Sequence, residues 1–373
     1  MDAPVLHFLV PDGFDEPARA SGGNVYDRRV AAALQAAGFD VRLAPLDVGA
    51  RDRLDRALVA VPDDGLVLVD GLVAVAASEV LSAHASRLRV VVLAHMVASA
   101  LAESSDASAT AGDERTALSA ARRIIATSDW TRSELAARGL AEFDRIAVAR
   151  PGVDVSAARI ARIRAAPVRP EPARDQRRAA RFLCVGALAR HKGQDVLVEA
   201  LAGLTDVPPW TCSIVGSHTA DPSFAGRIVS DISAAGLEGV TLAGVLTGSR
   251  LDDAFGSADL VIAPSRAESY GMVVADALAR GIPVVTTRVG GIPEAVAGHT
   301  SAVLVAPDDP TALRAVLKRW LADVPWRDRL TAAALRSPTP ARYWSETTRV
   351  VAGVLTSVRA ESGIGAAEVR STG

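Results

Sequence analysis

Short apolar runs alternate along the chain with longer stretches whose apolar positions recur at helical spacing. The runs at 5–10, 41–44, 66–69, 90–93, 124–126 and 146–149 read as strands, with helical stretches at 23–37, 74–84 and 131–137 among them. Gly38 is a natural stop for the first of these helices. The alternation restarts at 182–185 and continues with strands at 212–215, 240–242, 260–263, 284–286 and 302–305. Helices are expected there at 194–204, 224–235, 251–256, 272–279 and 311–321. Strands that alternate with helices predict βαβ units and parallel sheets. Two such series predict an α/β chain of two Rossmann-like domains facing one cleft.

Between the series the pattern changes. Residues 159–181 hold eight arginines against Glu171 and Asp175, with Pro167, Pro170 and Pro172 among them. A solvated linker is the plain expectation. The chain therefore divides into a first domain over 1–165, a linker over 166–180 and a second domain over 181–338. An amphipathic final helix falls within 339–360, and a frayed tail covers 361–373.

Composition narrows the function classes. A chain of 373 residues is long enough for about two domains. Its 41 basic residues are balanced by 43 acidic ones, so it lacks the basic excess that a nucleic-acid surface needs. Aromatic residues are only 4 %, which disfavours stacking platforms for single strands. No run of 18 apolar residues offers a membrane span, and the opening Met1-Asp2-Ala3-Pro4 has no basic leader segment. The Ser/Ala-rich stretch 97–116 has no basic amphipathic face for membrane docking. Cys184 and Cys212 have no metal-ligand spacing and read as buried thiols, which fits a reducing cytoplasm. The basic residues are 39 Arg and two Lys, Lys192 and Lys318, so a lysine here invites inspection.

Four runs could carry chemistry. Val185-Gly186-Ala187-Leu188-Ala189-Arg190-His191-Lys192-Gly193 joins a strand to a helix. Glycines allow close backbone approach, the helix start offers free N–H groups, and Arg190 and Lys192 add charge, a combination that suits a diphosphate. Solvated bases on an ordinary turn are the alternative. In Ala263-Pro264-Ser265-Arg266-Ala267-Glu268-Ser269-Tyr270-Gly271, Glu268 falls in a loop after a strand, and Asp276 follows in the next helix. These acids can serve a ligand crevice, or Glu268 can cap the helix and Asp276 lie on the surface. Val289-Gly290-Gly291-Ile292-Pro293-Glu294 and Ser21-Gly22-Gly23-Asn24 are glycine pairs before helix starts. Gly-x-Gly-x-x-Gly after a first strand, the P-loop motif and Gly-x-Ser-x-Gly are all absent. The acid pairs Asp63-Asp64 and Asp308-Asp309 read as turns.

Taken together, these runs resemble the retaining glycosyltransferases of family 4, over nearly the whole chain and most strongly from 182 to 305. The resemblance implies the GT-B fold, with an acceptor-side N-terminal domain and a nucleotide-sugar-binding C-terminal one. It also implies a last helix that crosses back onto the N-terminal domain. Lys192 matches the family's diphosphate-gripping lysine. Ala187 stands where the family has its arginine, which leaves Arg190 as the substitute. Gly22, Gly23, Gly186, Tyr270 and Gly271 complete the implied diphosphate site. Glu268 would contact the transferred sugar, and Asp276, where the family usually has Glu, the nucleotide ribose. Gly290, Gly291 and Ile292 form the implied sugar-side loop. His95 matches a family histidine near the transferred sugar, although a buried structural histidine is the other reading.

The resemblance implies transfer of a hexose-type sugar from a UDP- or GDP-sugar with retention. His95, Glu268 and Lys192 would be the catalytic residues, attack would come from the front face, and the leaving phosphate would take the acceptor proton. No metal and no cofactor beyond the sugar nucleotide is expected. The acceptor is open, with a preference for a small soluble one. A nucleotide-sugar epimerase or phosphorylase on the same scaffold is the rival enzyme, and a degenerate sugar-nucleotide-binding partner is the non-catalytic alternative.

Overall fold

The computed structural model describes residues 3–19, 21–101, 106–153, 179–336 and 343–361. The Arg/Pro-rich linker up to residue 178, and the tail from 362, lie outside the described residues. The chain forms two compact units. Unit 1 is Met1–Asp15, Gly22–Gly152 and Tyr343–Gly373; unit 2 is Glu16–Ser21 and Val153–Arg342.

Unit 1 holds a parallel sheet of six strands: β1 (Val5–Pro11), β2 (Asp40–Leu46), β3 (Leu66–Asp70), β4 (Arg89–Ala94), β5 (Arg123–Ala126) and β6 (Ile146–Val148). They lie in the order β2-β1-β3-β4-β5-β6. β3 and β4 are buried along their whole length, which is why their sequences are near-continuous apolar runs. Strand alternation divides the core between the two faces. Leu9, Val67, Val69 and Val92 join Leu54, Leu58, Leu81 and Leu118 on one side. Leu6, Phe8, Leu66 and Leu68 join Tyr26, Val30 and Leu34 on the other.

The second face is completed by the helix Trp344–Ala360, which buries Val351, Leu355 and Val358 against it. That spacing is one helical stripe. Polar anchors fix the helix at both ends. Thr347 Oγ1 donates to Arg150 O at 2.6 Å, and the buried Arg89 guanidinium donates to the terminal carbonyls of Val358 and Arg359. A cation on the last carbonyls of a helix also meets the favourable end of its dipole.

Unit 2 repeats the plan with β7 (Ala180–Val185), β8 (Trp210–Val215), β9 (Val240–Gly244), β10 (Leu260–Ala263), β11 (Val284–Thr287) and β12 (Ala302–Val305). The order is β12-β11-β10-β7-β8-β9, again all parallel. Phe182, Cys184, Ile214 and Trp320 fill one face; Leu183, Val215, Phe255 and Val274 fill the other. Burial pushes the Cys184 thiol up to about 12 against the pull of Lys192, and Cys212 is raised by burial as well. Both are free, buried thiols. No helix among the described residues is long and apolar enough to cross a membrane.

All twelve expected strands are present, with ends shifted by at most two residues. The helix expected unbroken over 74–84 is instead two, Gly71–Ala76 and Ser78–His84, separated at Ala77. Asp70 explains the early start, because its Oδ1 accepts from Leu72 N and Val73 N and caps the first piece. Ala107–Ala120 and Val324–Leu335 are helices that the apolar pattern does not announce. The first of them buries alanines and one glutamate beside Leu118, so its stripe is weak in the sequence.

Candidate functional site

In unit 2 the strand order reverses between β7 and β10, which are neighbours although the chain leaves them in opposite directions. Loops at the carboxyl ends of such a strand pair bound a crevice, the usual ligand position of open α/β sheets. The loop after β7 runs through Gly186 to a 3-10 turn at Arg190–Lys192, and the loop after β10 runs through Pro264 to Gly271.

These two loops are tied together. Gly193 takes a left-handed conformation (φ 70°), and a Cβ there would stand 2.1 Å from Pro264 O. The Arg266 and Ala267 amides donate to His191 O. The Arg266 guanidinium donates to Arg190 O and makes a two-pronged pair with Asp195 at 2.7 and 2.8 Å, with Asp308 as a further partner. Such a fork fixes orientation as well as distance.

The clamp brings two of the expected site residues into contact. Lys192 Nζ donates to Glu268 Oε2 at 2.7 Å, and both side chains keep partial exposure (26 % and 19 %). The Lys192 stem runs past Gly186, whose missing side chain leaves its aliphatic carbons 3.6 Å from where a Cβ would be. His191, beside this pair, is pushed down to about 4 by burial, with Lys192 adding and Glu268 opposing. It is neutral at physiological pH, so Lys192 is the cation facing Glu268.

Gly290 and Gly291 cradle the Glu268 backbone. Gly291 N donates to Glu268 O at 2.9 Å. A Cβ on Gly290 would fall 1.9 Å from Glu268 O, and one on Gly291 would fall 2.1 Å from Ser269 O. Gly291→Ala should therefore displace the acidic loop and lower stability by roughly 1–3 kcal/mol, the cost of a forced backbone shift. Urea denaturation would measure it; an unchanged midpoint would show that the loop yields freely.

The remaining unit 2 candidates lie on the same loops, at the Ile292 helix start and on the helix that follows Gly271. Gly271 (φ 96°) is the N-cap residue of the Met272–Ala279 helix, so Glu268 is not its cap. Tyr270 and Ile292 are buried, and the Arg190 side chain is exposed. Asp276 is mostly covered and pairs with Arg280 at 3.2 Å. Arg280 is buried, also holds Asp252 at 2.6 Å and lies over the Phe255 ring.

The other candidates belong to unit 1. Gly22 and Gly23 open the Gly22–Ala36 helix, and a Cβ on Gly23 would touch His95 Cδ2 at 3.4 Å. His95 follows β4 and is buried with Asp27 and Asp70. Its Nε2 lies 2.8 Å from Asp27 Oδ1 and 3.2 Å from Asp70 Oδ2. Burial works against an imidazolium there, but the carboxylates of Asp27 and Asp70 outweigh it and lift His95 to about 10. Burial pushes the Asp27 carboxyl up, against the pull of His95, and Asp70 adds to the rise.

Asp27, Asp70 and His95 are also, among the described residues, the group of acidic and imidazole side chains compact enough to share a cation, with all ligand atoms within 4.8 Å. The 2.8 Å separation is that of a hydrogen bond. Two ligands on an ion with bonds near 2.0–2.1 Å at tetrahedral angles would stand roughly 3.3 Å apart. The cluster is therefore read as bridged by protons.

Sequence reasoning missed Asp27, Asp70, Arg266 and Arg280. One signal was available for Asp27: it shares the stripe of Tyr26, Val30, Ala31 and Leu34, where an acid marks a buried partner.

Comparison with known proteins agrees with this organisation. Residues 179–323 match the family described as Glycosyl transferases group 1. The chain is 34 % identical over 220 residues to D-inositol 3-phosphate glycosyltransferase 2 of Catenulispora acidiphila, covering 57 % of this chain and 50 % of that protein. It is 32 % identical over 259 residues to D-inositol 3-phosphate glycosyltransferase of Frankia alni, covering 66 % of this chain and 60 % of that one. The matched part thus spans about half to three-fifths of those relatives' length. Among solved structures, sucrose-phosphate synthase (tll1590) from Thermosynechococcus elongatus superposes with a TM-score of 0.75 at 21 % identity, over 96 % of this chain and 100 % of that one. Anabaena Alr3699/HepE in complex with UDP-glucose gives 0.70 at 18 % identity, over 95 % and 99 %. The two parallel six-stranded sheets with their helices are those of the GT-B fold.

Proposed function

We propose that this chain is a glycosyltransferase that moves a hexose-type sugar from a UDP- or GDP-sugar to an acceptor hydroxyl with retention of configuration. The observation that carries the reading is the Lys192–Glu268 pair, held on two glycine-bearing loops at the carboxyl ends of β7 and β10. Unit 2, with the family match over 179–323, is the proposed donor-binding unit, and unit 1 the acceptor-side unit.

In this reading the donor diphosphate competes with Glu268 for Lys192. The ammonium turns to the phosphates, and Glu268 is released to accept from a sugar hydroxyl. As the glycosidic bond breaks, negative charge grows on the diphosphate. A cation fixed there binds the transition state better than the ground state. Gly186, Arg190, Tyr270, Gly271, Gly22 and Gly23 are the proposed further donor contacts, Gly290, Gly291 and Ile292 the sugar-side loop, and Asp276 the ribose contact. His95 is proposed to serve the transferred sugar. No metal is assigned a role. The cytoplasm is the proposed compartment, in keeping with two buried free thiols.

A panel of UDP- and GDP-sugars scored by thermal stabilisation tests this. A ligand at 100 times its dissociation constant adds about 2.7 kcal/mol. One nucleotide series should stabilise the protein, and turnover should persist in a chelator. Acceptors begin with D-inositol 3-phosphate, the compound in the relatives' names, and extend to other small polyols. No shift with any nucleotide sugar would sink the proposal.

The Asp276–Arg280 pair and Ala187 favour one second reading, a sugar-nucleotide-binding protein without turnover. Slow donor hydrolysis would exclude it.

A further inference from the structure

Three buried side chains in unit 1 form a cluster that the donor chemistry of unit 2 does not explain. They come from three elements: Asp27 from the Gly22–Ala36 helix, Asp70 from the end of β3, and His95 from the residue after β4. The His95 side chain is 8 % exposed, and those of Asp27 and Asp70 0 % and 2 %. Both carboxylates converge on one nitrogen, Nε2. Asp70 is itself fixed, because its other oxygen accepts from Leu72 N and Val73 N. Asp27 Oδ2 accepts no hydrogen bond among the described residues. His95 Nε2 is thus the donor that partners Asp27, and two buried carboxylates this close favour the positively charged form of the ring.

The other polar groups around the ring are engaged elsewhere. Tyr26 meets it edge-on at 5.1 Å, with its hydroxyl donating to Ala149 O. Thr127 Oγ1 donates to the His95 carbonyl. Glu114 lines the small cavity beside the ring, but it is turned to Ala98 N, Ser99 N and Ser99 Oγ. His95 Nδ1 has no hydrogen-bond partner among the described residues and is not sealed from solvent.

We propose that Asp27 and Asp70 are positioning residues that hold His95 as an imidazolium, so that its open Nδ1–H donates to a neutral substrate hydroxyl and the ring is barred from acting as a base. The substrate half of this rests on the glycosyl-transfer reading above. One imidazolium between two carboxylates leaves the cluster with a net negative charge. The open Nδ1–H suits a neutral hydroxyl acceptor, whereas Lys192 is the cation directed at the diphosphate. A ring that already carries its proton cannot take one from an acceptor. The lifted value of His95, about 10, agrees with the geometry.

The test uses the full chain with 15N-labelled histidine, the His95 resonances being assigned by comparison with His95→Gln. Both ring nitrogens should be protonated at neutral pH and stay so past about pH 8.5. Asp27→Asn, which keeps the shape, should lower the titration midpoint by about three pH units, to near 7. Asp70→Asn retains the helix-capping oxygen and should do the same. A neutral His95 at pH 7, an unmoved midpoint in Asp27→Asn, or a stoichiometric divalent ion in the purified protein would overturn the proposal.

The second arm reads turnover of the nucleotide sugar. Asp27→Asn should lose about 10-fold in kcat near pH 8, with KM for the donor nearly unchanged, as expected for one charge-assisted hydrogen bond. The loss should shrink as the pH falls and the ring regains its proton. A loss of equal size at every pH would mean a structural role only and would overturn the proposal. If the parent protein turns over no nucleotide sugar at all, the glycosyl-transfer reading falls, and the substrate half of the proposal with it. The nitrogen spectra would still judge the imidazolium.

Discussion

His95→Leu should destabilise unit 1 by about 3–5 kcal/mol at neutral pH, the cost of breaking a buried charge pair from one side. The variant keeps an apolar side chain of similar bulk, so the loss is electrostatic: Asp27 and Asp70 are left in a buried site with no cation between them. The Asp27 carboxyl, already raised by burial, can then relax by taking up a proton, so the folded variant binds that proton more tightly than its unfolded chain. Stability of that kind is present at acid pH and lost as the pH rises. In the parent protein the His95 contribution has the same sign but another window. It is complete below the ordinary value of 6.5 and disappears as the pH climbs through about 10. The gap between parent and variant should therefore be widest near neutral pH and narrow both toward about pH 5 and toward about pH 10. Urea titrations at those pH values measure it, and an equal gap throughout would show that lost packing, not charge, is what His95 supplies.

Lys192→Ala should lower turnover by about 10²–10³-fold, the usual effect of removing one fixed donor from a developing anion. Nucleoside diphosphate affinity should fall with it, because the diphosphate is where the ammonium is directed. Folding should hardly change. Lys192 and Glu268 both keep partial exposure, and ion pairs of that kind contribute only about 0–1 kcal/mol. Lys318→Ala, on the helix Pro310–Ala322, is the control. Calorimetric titration with UDP and GDP, beside initial rates, separates the two effects. Equal behaviour of the two lysine variants would remove Lys192 from the site.

The sequence disclosed some of these features and hid others for definite reasons. The strands were legible because a parallel sheet covered on both faces must be apolar at every position, as β3 and β4 are. The Gly186–Gly193 and Gly290-Gly291 runs were legible as turns before helices. Their tight approach to Pro264 O and Glu268 O depends on loops far away in the chain, and only coordinates show it. Arg266 was visible as a residue of the loop run 263–271 but not as a clamp, since Asp195 and Asp308 lie 71 and 42 positions away. Arg280 follows Asp276 at i,i+4, a readable spacing, yet burial rather than spacing makes the pair matter. The Asp27–Asp70–His95 cluster joins three elements whose register no local pattern encodes.

Unit 1 is built from both ends of the chain, and this sets a clock on its synthesis. Val351, Leu355 and Val358 cover the same sheet face as Tyr26, Val30 and Leu34. The first stretch of the unit ends at Gly152, and the helix that seals it ends at Ala360. At about 5–20 residues per second, the ribosome takes roughly 10–40 s to cross that interval. Through that time the apolar face of the nascent sheet stays uncovered beside a growing chain, whereas nearly all of unit 2 lies on one continuous stretch, Val153–Arg342, already synthesised when the last helix emerges.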